Sequence, residues 1–276
     1  MKTVIKTEFE RAYRSLGMKL SLLVGLTIAL IQYVKQVLPW KNDIITYFDG
    51  RYITYPLSVF NMWLGADDTN PWLMIYLMLF PILASMAYGA SYYDDVKSGY
   101  IKNVYTRIGK RKYLIAKYIT VFVSAGSTVI LPMLFNLMLT SAIMPSLVPS
   151  MNGLFAPGSV GMFSYIFYTR PYLYVTIYII MYFIYGGVIA SIALAVSKIA
   201  RYRFIVLIIP FAIYYGTGLL SPFVRNEYVM EISLRRILAM TQYTSISEYT
   251  FFGEALVIGL ISFVIYYVGG IKDDIF

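Results

Sequence analysis

Long stretches without a charged residue are the feature that most constrains how this chain folds. No Asp, Glu, Lys or Arg occurs from Tyr118 to Thr169, and none occurs from Pro71 to Tyr93. A helix that crosses the hydrocarbon core of a bilayer needs about 20 consecutive apolar residues. Only 13% of the 276 residues are charged, against about 25% in a typical soluble domain. The sequence therefore predicts a single, all-α, polytopic membrane domain.

Six apolar segments, separated by charged or Pro- and Gly-rich breaks, are the predicted spans. They cover residues 20–38, 72–93, 118–139, 171–197, 204–221 and 254–270. Residues 1–19 have apolar side chains at helical spacing, which indicates an amphipathic helix in the membrane interface. Its apolar stripe consists of Ile5, Phe9, Ala12, Tyr13, Leu16 and Leu20.

The loops that follow the first, third and fifth predicted spans lie on the same side of the membrane. Residues 223–253 are predicted either to lie outside the membrane or to re-enter it. Trp40, Trp63 and Trp72 flank the first two spans, and we expect them in the aromatic belt at the external interface. The acids Asp43, Asp49, Asp67 and Asp68 and the basic Arg51 also belong to this predicted external loop.

The positions of the basic residues predict how the spans are oriented. With both termini inside, the internal segments hold 16 of the 23 Lys and Arg residues and the external segments hold 7. Cytoplasmic loops collect Lys and Arg, so we expect both termini to be cytoplasmic. The same rule accounts for the net charge of +9, and nucleic acid is therefore not an expected partner.

The composition excludes several kinds of chemistry. The chain has no Cys and no His, so it cannot form disulfides, thiolate or imidazole metal sites, or a His-based protease. We predict no catalytic, cofactor-binding or metal-binding residue. The predicted spans hold almost no ionisable side chain, which disfavours an ion-coupled transporter, because such transporters place ionisable groups inside the membrane. That class, an intramembrane enzyme and a non-transporting membrane partner protein remain the alternatives.

The most informative loop covers residues 94–117, between the second and third predicted spans. It begins with two acids, breaks at a Ser-Gly pair and continues as a basic run, and a second basic turn follows the fourth span. The basic residues of the loop suit the headgroups of anionic lipids, and the same geometry would let a short interfacial helix dock on a soluble partner. The residues of interest in the two segments are Asp94, Asp95, Lys97, Ser98, Gly99, Arg107, Lys110, Arg111, Lys112, Lys198, Arg201 and Arg203.

This loop resembles the cytoplasmic loop between spans 2 and 3 of the permease subunits of bacterial type-2 ABC exporters. In that family an acid and a Ser-Gly pair precede a run that carries Ser or Thr, Arg and Lys into span 3. The matching positions are Asp94 or Asp95, Ser98-Gly99, Thr106, Arg111 and Lys117. The family also has an N-terminal interfacial helix, six spans and both termini inside. One departure is Gly109-Lys110, which stands where Pro-Ser usually precedes the Arg.

The resemblance implies a multi-pass permease subunit in the bacterial cytoplasmic membrane. It would pair with a second copy or a related paralogue and work with a separate ABC ATPase, which would bind ATP and Mg²⁺. The resemblance also implies that the loop 94–117 and the basic turn Lys198–Arg203 together form the surface that docks this ATPase. This chain lacks a phosphate-binding loop, because Val104 stands where the loop needs a Gly before Gly109-Lys110. The implied cargo is hydrophobic or amphipathic, with an antimicrobial or toxin peptide as the first choice and a drug, a lipid or sodium as alternatives.

Small residues within the predicted span 171–197 indicate close helix packing. Gly187, Ser191 and Ala195 recur every four residues and so share one face of a helix. Small side chains at this spacing let two helices approach closely in a membrane. Packing within this chain and packing against a second subunit are both open.

Overall fold

A computed structural model of the chain describes residues 1–42, 57–66, 70–149, 157, 161–224, 232–240 and 246–272. Those residues fold into helices and connecting turns, and they contain no strand. Six of the helices are long and apolar enough to cross a membrane. The predicted all-helical class and the six apolar membrane-crossing segments are therefore confirmed.

The α-helices are numbered along the described residues. They are α1 (Lys2–Arg14), α2 (Leu16–Gln32), α3 (Val59–Met62), α4 (Pro71–Ala84), α5 (Ser91–Lys97), α6 (Tyr100–Ile108), α7 (Lys110–Ser141), α8 (Ser164–Thr169), α9 (Pro171–Val196), α10 (Arg203–Val224), α11 (Leu234–Ile237) and α12 (Glu248–Lys272). A π turn and a 3₁₀ turn extend α2 to Lys41, and a π turn extends α4 to Gly89. The candidate membrane spans are α2 and α4 with these extensions, and α7, α9, α10 and α12.

The helices of three candidate spans begin several residues before the predicted spans, and the first of them, α2, begins at Leu16 rather than at residue 20. Helix α7 begins at Lys110 rather than near residue 118, because Gly109 has a φ of 86° that ends α6, and no Gly or Pro lies between Lys110 and Tyr118. Helix α12 begins at Glu248 rather than at residue 254. The predicted loop 94–117 is therefore mostly helix, made of the end of α5, all of α6 and the start of α7.

The centre of the bundle is the contact between α7 and α9. A Cβ atom on Gly126 of α7 would lie 2.7 Å from the carbonyl oxygen of Phe183, and one on Gly186 of α9 would lie 3.2 Å from the Cα of Gly126. The first distance is shorter than real Cβ contacts allow, and the second is tighter than most of them, so the close approach of the two backbones depends on glycine at these positions.

The predicted small-residue face of α9 lies inside this contact region. A Cβ on Gly187 would be 2.6 Å from the ring of Phe122 on α7. Ser191 and Ala195 are both buried within the chain.

The described part of the segment between the first two spans, which the sequence predicts to be external, folds back onto the bundle instead of leaving it. The side chain of Gln32 donates to the carbonyl oxygen of Met62 at 2.8 Å, and the backbone N–H of Leu64 donates to the side-chain oxygen of Asn136 at 2.7 Å. Asn136 also donates to Gln32 Oε1 at 2.6 Å. We call Gln32 and Asn136 the amide cluster.

The residues on either side of Trp63, Met62 and Leu64, make these hydrogen bonds, and Trp63 itself is fully buried. Its predicted position in the aromatic belt is therefore wrong. The other residues predicted for this loop, Asp43, Asp49, Arg51, Asp67 and Asp68, lie outside the described residues.

The described part of the segment between the last two spans runs alongside the helices. The hydroxyl of Tyr174 donates to the carbonyl oxygen of Met240 at 3.0 Å, and that of Tyr182 donates to the carbonyl oxygen of Leu238 at 2.8 Å. Tyr182 lies about 17 Å along α9 from its first residue, at 1.5 Å per residue. Residues 232–240 therefore lie beside the spans, down to about the middle of α9.

Candidate functional site: a buried charge cluster beneath a short helix

Helix α1 buries an acid against the bundle. Glu8 is 2% exposed and Ala12 is fully buried, so the inner face of α1 is the one that carries these two residues. Tyr13, Leu16 and Leu20, which belong to the predicted apolar stripe, are exposed on the surface of the protein. A carboxylate in such a position requires charged or hydrogen-bonding partners, because an isolated buried charge is very unfavourable.

Those partners are two cations and a second acid. We call Glu8, Arg11, Asp95 and Lys117 the charge cluster. Arg11 donates to Glu8 at 2.7 Å and to Asp95 at 2.5 Å. Lys117, which is fully buried, donates to the same two carboxylates at 2.7 Å and 2.6 Å. Each cation therefore bridges both acids, and the cluster as a whole is neutral.

Two tyrosines complete the hydrogen bonding of the carboxylates. The hydroxyl of Tyr113 donates to Asp95 Oδ2 at 2.5 Å, and the hydroxyl of Tyr88 donates to Glu8 Oε2 at 3.0 Å. Buried ion pairs are retained only where geometry and extra hydrogen bonds offset the loss of hydration. The charge cluster meets this requirement, and it joins α1, α5 and α7 at one point.

The pKa values of Asp95 and Arg11 follow from this geometry. Burial alone would raise the pKa of Asp95, but the charge of Lys117 and the hydrogen bonds from Arg11, Lys117 and Tyr113 hold it below the ordinary value of 3.8. Burial lowers the pKa of Arg11, and the hydrogen bond to Asp95 with the nearby acids more than reverses this, so Arg11 stays charged. Asp95 and Arg11 are therefore both ionised at neutral pH.

Local sequence brings these side chains together. Glu8 and Arg11 are three residues apart on α1, and Tyr113 and Lys117 are four apart on α7, so each pair shares a helix face. Helix α1 stops at Ser15, whose hydroxyl accepts from the N–H of Met18 and donates to the carbonyl oxygen of Ala87 at 3.1 Å. This fixes the turn between α1 and α2 against the π turn that ends α4.

Helix α6 lies next to the charge cluster and is bounded by glycines at both ends. Gly99 has a φ of 72° and Gly109 a φ of 86°, a backbone region that favours glycine. One face of α6 buries Ile101, Val104 and Tyr105. The opposite face is exposed and consists of Lys102, Asn103, Thr106 and Arg107.

Two aromatic contacts fasten α6 to the cluster. The guanidinium of Arg11 lies 4.2 Å from the centre of the Tyr100 ring, which is a cation–π contact. The ring of Tyr105 packs edge-to-face on Tyr113 at 5.6 Å, and Tyr113 in turn donates to Asp95. A displacement of α6 therefore reaches both α1 and α7 through packed side chains.

The predicted docking residues lie at one end of the bundle. Asp94 pairs with Arg203 at 3.2 Å, and the hydroxyl of Tyr93 donates to the carbonyl oxygen of Arg201, which joins α5 to the basic turn after α9. The exposed residues of the set are Lys97, Ser98, Arg107, Arg111, Lys112, Arg201 and Arg203, and the half-buried ones are Asp94, Gly99, Lys110 and Lys198. Asp95 is buried in the charge cluster, so it does not lie on the surface where it was expected.

Lys198 is the member of the set whose protonation is most affected by its surroundings. Its ammonium donates to the hydroxyl of Tyr92 at 3.4 Å. Burial, with the nearby charge of Lys110, lowers the pKa of Lys198 to about 8. Near neutral pH a fraction of this side chain is therefore uncharged.

The sequence analysis did not single out Glu8, Arg11 or the burial of Lys117. A signal was present in α1, because Glu8 lies on the same helix face as Ala12. A second signal is that Lys117 lies inside an apolar run, Leu114 to Ile119. Within the described ranges, no group of three or more Asp and Glu side chains could hold a metal ion.

The six long apolar helices and the charge cluster define a class, a multi-pass α-helical membrane protein. No protein-family model, no curated protein and no solved structure matches the chain.

Proposed function

We propose that this protein is the permease subunit of an ATP-driven exporter and that α6 is the helix that docks a separate ABC ATPase. The observation that carries the proposal is the position of α6, between two candidate spans and joined to the charge cluster. Its polar face is exposed, while its other face and Tyr100 touch side chains that hold α1, α5 and α7.

The exposed face of α6 suits a soluble partner. Lys102 and Arg107 give it positive charge, and Arg111 and Lys112 extend the same basic character to the start of α7. Charged rims steer association and select partners. The ATPase surface that receives α6 is therefore acidic, and the contact weakens as salt rises.

The charge cluster supplies the mechanical link in this mechanism. When the ATPase subunits close on ATP, they move α6, and the contacts through Tyr100 and Tyr105 pass that movement to α1 and α7. A packed and fully hydrogen-bonded network is not continuously deformable, so it transmits a displacement rather than absorbing it. Helix α7, which is itself a span, and α2, the span that follows α1, then open the pathway outward.

The remaining parts of the proposal concern the assembly. Both termini lie in the cytoplasm. Helix α1 lies in the cytoplasmic interface of the membrane, with Tyr13, Leu16 and Leu20 toward lipid. Two permease copies, or this chain and a related paralogue, pair in the bacterial cytoplasmic membrane. The cargo is a hydrophobic or amphipathic molecule, with an antimicrobial or toxin peptide as our first choice. ATP and Mg²⁺ bind to the ATPase subunits.

The experiment is co-purification of the tagged permease with an ABC ATPase encoded beside its gene. The double variant Lys102→Glu/Arg107→Glu reverses the charge of the docking face, and we expect at least a tenfold loss of retained ATPase, which corresponds to about 1.4 kcal/mol. The matched control is Lys2→Glu/Lys6→Glu, which makes the same charge change on the exposed face of α1.

Equal retention of the ATPase by the two double variants would contradict α6 as the docking helix. ATP hydrolysis by the isolated chain would contradict the proposal that a separate subunit hydrolyses ATP. The absence of any ABC ATPase gene near this one would remove the proposed partner.

A further inference from the structure

A second site lies beside the turn between α1 and α2, at the same end of the bundle as α6. A cavity of about 360 Å³ opens there on the side of the protein, between this turn, the π turn that extends α4, and the start of α10. Pockets that hold small molecules have volumes of about 300–1,000 Å³. The cavity is therefore large enough for a lipid headgroup and the upper part of an acyl chain.

One wall of the cavity is apolar and continuous with the outer surface of the protein. Leu16 and Leu20 of α2 and Leu207 of α10 line it. Leu16 is 73% exposed and Leu20 is 43% exposed, and both lie at the start of a candidate membrane span. A surface of this kind at the end of a span faces the boundary between headgroups and acyl chains.

The opposite wall carries an acid, a base and a buried hydroxyl. Asp94 and Arg203 form an ion pair at 3.2 Å, and both are about half exposed at the rim of the cavity. Ser91 lines the same cavity, is 7% exposed, and its hydroxyl has no hydrogen-bond partner within the described part of the chain. A buried hydroxyl without a partner is unfavourable unless a ligand or water binds it.

This combination matches one class of lipid. A guanidinium binds phosphate oxygens with paired N–H donors, and a carboxylate binds a primary ammonium through charge-assisted hydrogen bonds. A zwitterionic headgroup with a phosphate and a primary amine meets both groups at once. A choline headgroup has no N–H to donate, and a headgroup with only a phosphate leaves Asp94 facing negative charge.

We propose that this cavity binds a phospholipid with an ethanolamine headgroup. Arg203 binds the phosphate, Asp94 binds the ammonium, the hydroxyl of Ser91 donates to a phosphate or ester oxygen, and the acyl chain lies along Leu16, Leu20 and Leu207. The site depends on neither the ATPase nor the docking role of α6.

The test is lipid retention by the purified protein after exchange into an equimolar mixture of phosphatidylethanolamine, phosphatidylglycerol and phosphatidylcholine, read by native mass spectrometry. We expect one retained lipid per chain, predominantly the ethanolamine lipid. Asp94→Asn should lower the preference for ethanolamine over choline about tenfold, which is the loss of one charge-assisted hydrogen bond. Arg203→Gln should lower retention of all three lipids, because they share the phosphate.

The matched control is Arg201→Gln, which removes the same charge two residues away from the cavity and should leave the lipid pattern unchanged. Leu207→Trp fills the cavity without changing any charge and should expel the lipid even if the charge variants fold poorly. Equal retention of the three lipids by the natural protein, or an unchanged preference in Asp94→Asn, would overturn the proposal.

Discussion

The two ends of α7 are held by different chemistry. Near its start, Lys117 is the centre of the charge cluster, which joins α7 to α1 and α5. Near its end, Asn136 belongs to the amide cluster, which joins α7 to α2 and to residues 57–66 through neutral hydrogen bonds. The two residues are 19 positions apart, or about 28 Å of helix, which is close to the thickness of the hydrocarbon core.

This difference predicts how the stability of each end changes when one of its residues is replaced. Removing one ion from a buried, balanced cluster leaves an uncompensated charge, whereas removing one amide leaves an unpaired neutral group. Loss of one partner should therefore cost more stability at the charged end, and the charged end is the more pH-sensitive because amide side chains do not titrate. It is also the end where α6 lies, so the proposed link to a soluble partner would act on the more tightly held contacts.

The largest expected effect is that of Lys117→Met. This change leaves Glu8 and Asp95 buried with Arg11 as their remaining cation, and we expect a loss of about 3–5 kcal/mol in the free energy of unfolding. The measurement is a denaturant titration of the purified protein in micelles. The control is Lys112→Met, five residues earlier on the exposed face of α7, which should change stability by less than about 0.5 kcal/mol.

The amide cluster should give a smaller effect. Asn136→Leu removes the acceptor of the Leu64 N–H and the donor to Gln32, and we expect a loss of about 1–3 kcal/mol in the same titration. Asn103→Ala, on the exposed face of α6, is the control and should be near neutral. If Asn136→Leu proved as destabilising as Lys117→Met, the contrast between the two ends of α7 would be wrong.

Acid should separate the two ends without any mutation. The pKa of Asp95 in the folded protein is below its ordinary value of 3.8, so Asp95 stabilises the fold fully above that pH. This stability is lost as the pH falls through the folded pKa. Since the natural chain has no Cys, single spin labels can be placed at Lys6→Cys on α1 and Ser141→Cys at the far end of α7.

We expect the label on α1 to gain mobility only as the pH falls below about 3.8, while the label at position 141 does not change. Equal changes at both positions would mean that acid acts on the whole bundle and not on the charge cluster.

The exposed ion pair between Asp94 and Arg203 should have the smallest effect. The two side chains are 47% and 59% exposed, and exposed pairs contribute about 0–1 kcal/mol. A double-mutant cycle with Asp94→Asn and Arg203→Gln, read as unfolding free energy, should give a coupling energy in that range and a decrease with added salt. A coupling energy of about 3–5 kcal/mol, as large as the stability loss expected for Lys117→Met, would contradict the distinction between exposed and buried ion pairs.

The spans could be predicted because they depend on a strong and simple signal. Stretches such as residues 118–139 and 171–197 contain no charge, and bilayer thickness sets their length. The start of α7 was placed too late because Lys110, Arg111, Lys112 and Lys117 suggested a loop. A charged residue within a helix is possible when partners from other helices neutralise it, and those partners are far away in the sequence.

The charge cluster could not be predicted for the same reason. Glu8 and Lys117 are 109 positions apart, and no local sequence pattern around either residue identifies the other as its partner. The amide cluster is similar, since Gln32 and Asn136 are 104 positions apart. The segment 94–117 was recognised as important from its acids, its Ser-Gly break and its basic run. That Asp95 is buried while one face of α6 is exposed could be seen only from how the helices pack in the structure.

The most direct measurement of the central claim is photo-cross-linking in cells that express this protein together with the proposed ATPase partner. A photoreactive phenylalanine analogue at Arg107, on the exposed face of α6, should cross-link to the ATPase subunit. The same analogue at Tyr165 of α8, which is 78% exposed and on the opposite side in the proposed topology, should not. Cross-linking from position 165 and none from position 107 would contradict α6 as the docking helix.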